Sequence, residues 1–141
     1  MQKPEIAVSI LLSVGITAML ISPAGATASQ ASAENPSIVG DWRGDSTCVI
    51  RESACHDEDS LYHVTNLQEK PGWFSMKLDK IVSGKPVTMG TVDCSYDAAK
   101  HSLTCEFPKG VMRFIITGGN MVGTMSLPDG TLWRKLNLKK V

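Results

Sequence analysis

The chain has 141 residues, and its 14 Lys and Arg are matched by 14 Asp and Glu, so it carries no formal net charge. A neutral balance argues against nucleic acid or an anionic membrane surface as the main partner. The length left once the amino-terminal segment is set aside suffices for one hydrophobic core and not two.

The first stretch, Met1 to Glu5, is weakly basic through Lys3, and Ile6 to Ile21 is an apolar run without a charge. Ser22-Pro23-Ala24-Gly25 breaks that run, and Ala26-Thr27-Ala28 offers a small-x-small cleavage site before Ser29. Residues 1–28 therefore read as a secretory signal peptide. A membrane anchor is the competing reading, but the run is near the short end for a span. Ala24-Gly25-Ala26 and Ala31-Ser32-Ala33 are further candidate cut sites, and no cysteine beside them invites lipid modification. Residues 29–37 (SQASAENPS) are small and polar, and are expected to form a disordered lead-in. Residues 38–141 form the expected folded domain. Nothing in them is expected to insert stably in a membrane once the signal is removed.

All four cysteines, Cys48, Cys55, Cys94 and Cys105, lie in that domain. An even count in a small exported chain reads as two disulfides and as a periplasmic or extracellular location. Three pairings are possible on paper; register, below, favours Cys48–Cys55 with Cys94–Cys105.

After the signal, apolar residues recur at every second position and turn residues interrupt them at short intervals. This is the pattern of an all-β meander. The first strand is expected over 39–51, and it is followed by an acidic loop with Glu52, Asp57, Glu58 and Asp59. The second spans 61–68 and ends at Lys70-Pro71-Gly72. The third, 73–82, alternates cleanly: Phe74, Met76 and Leu78 share one face, and Ser75, Lys77 and Asp79 the other. Ser83-Gly84-Lys85-Pro86 turns the chain into a fourth strand, 87–96, with Val92, Cys94 and Tyr96 facing inward. Gly90 interrupts its alternation and suggests a bulge.

A fifth strand, 102–107, aligns Leu103, Cys105 and Phe107. The sixth, 111–117, buries Met112, Phe114 and Ile116. Gly118-Gly119-Asn120 is a tight hairpin signal. The seventh, 121–127, offers Met121, Met125 and Leu127. The eighth, 131–138, follows Pro128-Asp129-Gly130 and aligns Leu132, Arg134, Leu136 and Leu138. Pairing Tyr96 with Leu103 across the fourth hairpin places Cys94 opposite Cys105 and Val92 opposite Phe107. Cys48 and Cys55 flank one loop and can meet as it turns. Short loops make neighbours in sequence neighbours in space. Eight such strands can close into an antiparallel up-and-down barrel, which removes the exposed edges of an open sheet. A half-open sandwich is the alternative.

Gly40-x-Trp42 at the start and Arg134 at the end give the chain its resemblance to the lipocalin and fatty-acid-binding superfamily, the calycins. The match is to a compact, bacterial-type exported barrel. The likeness implies that Trp42, admitted by Gly40, plugs the barrel base with the Arg134 guanidinium stacked on its indole. The chain is shorter than a typical lipocalin and lacks the flanking helix. The late Thr-Asp-Tyr turn is also missing, with Thr117-Gly118-Gly119-Asn120 near its place.

Few residues suggest covalent chemistry. Cys55-His56-Asp57-Glu58-Asp59, with His63 beyond, matches no established metal spacing, and an acidic solvated loop is the simpler reading. His56, His63 and His101 fall in no nucleophile frame. The expectation is a non-enzymatic protein without metal or cofactor. Five methionines lie beyond the signal, Met76, Met89, Met112, Met121 and Met125. Their flexible side chains suit either core gaps or an adaptable apolar site. Gly44, Ser46, Gly90 and Gly123 add little bulk to the inner wall. The expected ligand is a small apolar or amphipathic molecule, held by Phe74, Met76, Leu78, Tyr96, Met112, Phe114 and Met125, with the Tyr96 hydroxyl as polar handle. The alternative is an inhibitor of, or protection factor against, a secreted or envelope hydrolase (a lysozyme or a protease), acting through Glu52, Asp57, Glu58 and Asp59.

Overall fold

The computed structural model describes residues 38–141, so the expected signal peptide and lead-in lie outside the described residues. Eight strands follow one another: β1 (Gly40–Cys48), β2 (Glu58–Asn66), β3 (Trp73–Val82), β4 (Lys85–Asp97), β5 (Ser102–Phe107), β6 (Gly110–Thr117), β7 (Asn120–Ser126) and β8 (Leu132–Lys140). Each pairs antiparallel with the next, and β8 returns to β1, closing the barrel. The meander read from the sequence is the observed topology. A half-open sandwich is excluded.

Alternation decides which side chains point in. On β6, Met112, Phe114 and Ile116 are buried while Arg113 and Ile115 are outside. On β3, Met76 and Leu78 are buried, as expected. One bulge lies at Leu78/Asp79, where Leu78 pairs with Gly90 and Asp79 with Thr88, leaving Met89 as the extra residue on β4. The bulge inferred at Gly90 thus falls one residue earlier in the chain.

The Cys94–Cys105 bridge joins directly paired residues of β4 and β5, with Cα atoms 4.1 Å apart. Tyr96 pairs with Leu103, as the register argument required. The Cys48–Cys55 bridge closes the loop that leaves β1. Both pairings match the expectation, and two such bridges fit an oxidising environment.

The core is one buried cluster that runs on to the cavity lining at Tyr62, Leu78 and Met112, and the end that holds Trp42 is hereafter the base. Trp42, Val64, Met76, Cys94, Leu103, Cys105, Phe114, Met121 and Leu138 are all buried in this cluster. Trp42 is fully enclosed, and its Nε1–H donates to the Ile38 carbonyl at 2.9 Å. Gly40 sits at φ 134, and a Cβ there would come within 2.9 Å of Lys140 Cε. A side chain at this position would be both strained and crowded.

The base plug differs from the expected one. β8 is longer than the sequence suggested, and Lys140, not Arg134, pairs with Trp42. The Lys140 Nζ lies 5.4 Å from the indole centroid. Arg134 instead pairs with Cys48, at the far end of β1. The strand-to-strand register overrules the position that the family likeness implied for Arg134.

Candidate functional site

At the end opposite Trp42, hereafter the mouth, the inner wall stops meeting itself and a cavity of about 430 Å³ opens. Its wall divides by strand. Ser46 of β1, Glu58 and Tyr62 of β2 and Arg134 of β8 give a polar side made from three adjacent strands. Leu78, Val92, Phe107, Met112 and Met125, from β3 to β7, give the apolar side that faces it. Met89, Gly90, Thr91, Pro108 and Lys109 complete the lining.

The polar side is organised around Arg134. Its Nη1 donates to Ser46 Oγ at 3.1 Å and to the Ser46 carbonyl at 3.4 Å. Its Nη2 lies 3.4 Å from Glu58 Oε1, with both side chains mostly covered. Burial pushes the Tyr62 phenol above its ordinary pKa. The Ser60 hydroxyl and the Arg134 charge oppose that shift, and Glu58 reinforces it. Tyr62 therefore stays a neutral hydroxyl at physiological pH, able to donate or accept.

The cavity also opens sideways. The β3–β4 ladder has ten residue pairs, but the β4–β5 ladder has four, Cys94–Cys105 to Asp97–Ser102. β4 therefore runs on toward the mouth without β5 beside it. Val92 and Phe107, expected to face each other in the ladder, line the opening instead. Val82, Val87 and Met89 are exposed along the projecting β3–β4 hairpin.

The expected ligand residues divide between the two ends. Leu78, Met112 and Met125 line the cavity. Phe74, Met76 and Phe114 belong to the packed core or lie against it. Tyr96 stacks edge-on with Phe74 at the base, centroids 6.2 Å apart, and its hydroxyl is 3.5 Å from His101 Nδ1. It lies away from the mouth, whose polar wall carries Tyr62 and Arg134 instead. Of the four small inner residues, Ser46 and Gly90 border the cavity. Gly44 and Gly123 do the reverse of opening space. A Cβ at Gly44 would meet the Asn137 carbonyl oxygen, and one at Gly123 would meet the Phe114 ring.

The four acidic residues expected to form one projecting loop have separate fates. Glu52 is exposed in the turn after β1. Asp57 accepts the Cys48 backbone N–H at 2.8 Å and ties the loop down. Glu58 starts β2 and faces into the mouth, where the sequence reading placed no carboxylate. Asp59 points outward and binds Arg43 at 2.6 Å. The Arg43 hydrogen bond holds the Asp59 carboxyl below its usual range.

A second polar cluster lies on the outer wall. His63 Nδ1 is 2.7 Å from Asp41 Oδ1 and its Nε2 is 3.1 Å from Asp79 Oδ2, so one ring bridges β1 and β3. Lys77 Nζ stands 3.4 Å from the same Asp79 oxygen. Asp79 is only 2% exposed, because these neighbours cover it on the barrel's outer face. Desolvation works against its charge. The hydrogen bonds from Thr88 and His63, with the nearby Lys77, outweigh it and hold the carboxyl below the ordinary range. Both nitrogens of His63 are occupied by carboxylates, which leaves none for a nucleophile. Among the described residues, no group of three His, Cys, Asp or Glu side chains is arranged to hold a metal ion.

No family model matches the chain, and no curated protein matches it either. The closed eight-stranded antiparallel barrel is consistent with a calycin-like fold.

Proposed function

We propose that this exported, periplasmic or extracellular protein is a non-enzymatic lipocalin-like carrier. It binds one small amphipathic molecule in the mouth of its barrel and needs no cofactor. One observation supports this most directly: a cavity of about 430 Å³ with a polar wall on β8, β1 and β2 facing an apolar wall on β3 to β7. A site of that size and mixed lining suits a small organic ligand. Leu78, Met112 and Met125 supply adaptable apolar contact, and Tyr62, Ser46 and Arg134 supply orientation. The alternative, hydrolase inhibition through Glu52, Asp57, Glu58 and Asp59, has less to stand on, because three of those carboxylates are tied into the barrel.

The test is titration of the folded, oxidised protein with an apolar fluorescent probe. Saturable 1:1 binding is expected. Met112→Trp or Met125→Trp fills the cavity and should abolish binding while leaving the circular dichroism unchanged. Absence of binding by the native protein, or unaltered binding by both variants, refutes the reading.

A further inference from the structure

β4 has a paired neighbour on one side only for most of its length. β3 pairs with it from Lys85 to Ser95, while β5 pairs with it only from Cys94 to Asp97. Residues 85–93 therefore keep one open backbone edge, and all of them but Gly90 and Val92 are exposed. The β4–β5 ladder ends at Cys94 and Cys105, whose Cα atoms are 4.1 Å apart. That is near the ~4.5 Å of a directly opposed pair that exchanges no main-chain hydrogen bonds. By alternation, Asp93 and Thr91 turn their main-chain groups toward the open side. An edge of this length is a template for a further strand. It also borders the cavity, which Gly90 and Val92 line from β4 and Phe107 lines from across the gap. Charge is sorted along the gap. At its closed end stand two exposed acids, Asp93 and Glu106, each one residue beyond the last paired cysteines. At its open end stand two exposed lysines, Lys85 at the start of β4 and Lys109 between β5 and β6.

We infer that this edge docks an extended segment of a partner polypeptide, which adds as a strand antiparallel to β4 along residues 85–93. The inference goes beyond small-molecule binding and does not depend on it. Main-chain hydrogen bonds to β4 supply the affinity, and every second side chain of the segment points inward beside Val92 and Phe107. The segment is therefore apolar at alternate positions. An antiparallel strand starts beside Asp93 and Glu106 and ends beside Lys85 and Lys109. It is accordingly basic toward its amino end and acidic toward its carboxyl end. A second copy of β4 fits badly. Val87 pairs with Lys80, two residues beyond the buried Leu78, whereas Thr91 pairs with the outward Lys77. The bulge at Met89 thus puts Val87 on the inner face and Thr91 on the outer face. A two-fold pairing centred on Met89 sets these two opposite each other, although residues paired across strands share a face.

The probe is the peptide Lys-Val-Thr-Val-Thr-Val-Thr-Glu, acetylated and amidated, whose lysine lies opposite Asp93 and whose glutamate lies opposite Lys85. Calorimetric titration should show 1:1 binding, and hydrogen exchange should slow at residues 85–93. The charge-reversed peptide, Glu-Val-Thr-Val-Thr-Val-Thr-Lys, should bind about tenfold more weakly at low salt, and the difference should shrink at high salt. N-methylation of the threonine amides, which face β4 in this register, should abolish binding. In the protein, Asp93→Lys combined with Lys85→Glu should invert the preference between the two peptides. Both positions are exposed, so this exchange leaves the core untouched. Absence of peptide binding, protection outside residues 85–93, equal binding of the two peptides, or unchanged affinity after N-methylation overturns the inference. So does concentration-dependent self-association that protects the same residues without peptide, which assigns the edge to a second copy. An apolar probe that binds while the peptide does not removes this inference and leaves the cavity reading intact.

Discussion

The base and the mouth are built from the same eight strands, yet their inner faces follow different rules. At the base, aromatic, aliphatic and sulfur side chains from opposite strands are buried together with Trp42. At the mouth, β1, β2 and β8 turn polar, β4 parts from β5, and the side chains stop short of one another. Close packing and open volume thereby fall at different ends of one inner surface. A solid base can hold the barrel's shape while the mouth is left free to admit a guest.

The sharpest break of this comparison is a matched pair of truncations. Trp42→Ala is expected to cost about 3–5 kcal/mol, the range for removing a large, fully buried aromatic. Met125→Ala, beside the existing cavity, should cost about 2 kcal/mol, the low end for a methionine. Urea denaturation reads both, and equal costs would show that the mouth is as tightly packed as the base.

The Cys94–Cys105 bridge is fully buried, and Cys105 pairs with Met112 of the cavity wall. Replacing both by alanine should remove about 3 kcal/mol on the chain-entropy estimate. The mouth is expected to keep its ligand-binding stoichiometry in that variant at low temperature. Loss of binding in a still-folded variant would mean that the two ends are not separable.

A double-mutant cycle tests which cation belongs to which end. Trp42 and Lys140 should couple by about 0.5–1 kcal/mol, as a cation beside an indole does. Trp42 and Arg134 should be additive within about 0.5 kcal/mol, because they sit at opposite ends of the barrel. The reverse result would restore the base implied by the calycin resemblance.

The smallest effect concerns the outer wall, where the Asp41–His63–Asp79 array spans strands that serve both ends. The folded Asp79 carboxyl is held below its unfolded value. Its contribution to stability is therefore present above the ordinary carboxylate range and is lost as pH falls through the lowered folded value. Thermal unfolding followed downward from pH 5 should show a shallower acid decline in Asp79→Asn than in the native chain. Asp59 works in the same sense but weakly, since its pair with Arg43 is exposed. Parallel acid profiles for native and variant would remove Asp79 from this account.

The base and the apolar wall of the mouth are legible in the sequence and the polar wall of the mouth is not, for a physical reason. Base strands alternate apolar and polar residues, so Phe74-x-Met76-x-Leu78 and Cys94-x-Tyr96 announce their faces, and Tyr96 opposite Leu103 then fixes a disulfide. The inner face of β2 reads Glu58, Ser60, Tyr62, Val64 and is polar where it reaches the mouth. Without an apolar signal there, the acidic start of β2 resembles a loop, and Glu58 reads as part of it. The likeness to the calycin motif sets Arg134 at the base. Counting back from the end of β8 would have placed it at the mouth, but that end, Lys139-Lys140, looks like a solvated tail. Asp79 was read correctly as outward; that its neighbours would cover it depends on His63 and Lys77 converging from two strands, which no linear pattern shows.

The seam between β1 and β8 has a further consequence, in time rather than in space. Seven of the eight ladders join strands adjacent in sequence, while this one brings Trp42 to Lys140 across nearly the whole domain. Closing a long loop costs entropy that only the finished contact returns. The hairpins can therefore form early and the seam closes after them. Interactions formed after the folding barrier govern how fast a protein comes apart, not how fast it assembles. Weakening the Trp42–Lys140 contact is therefore expected to speed unfolding more than it slows folding.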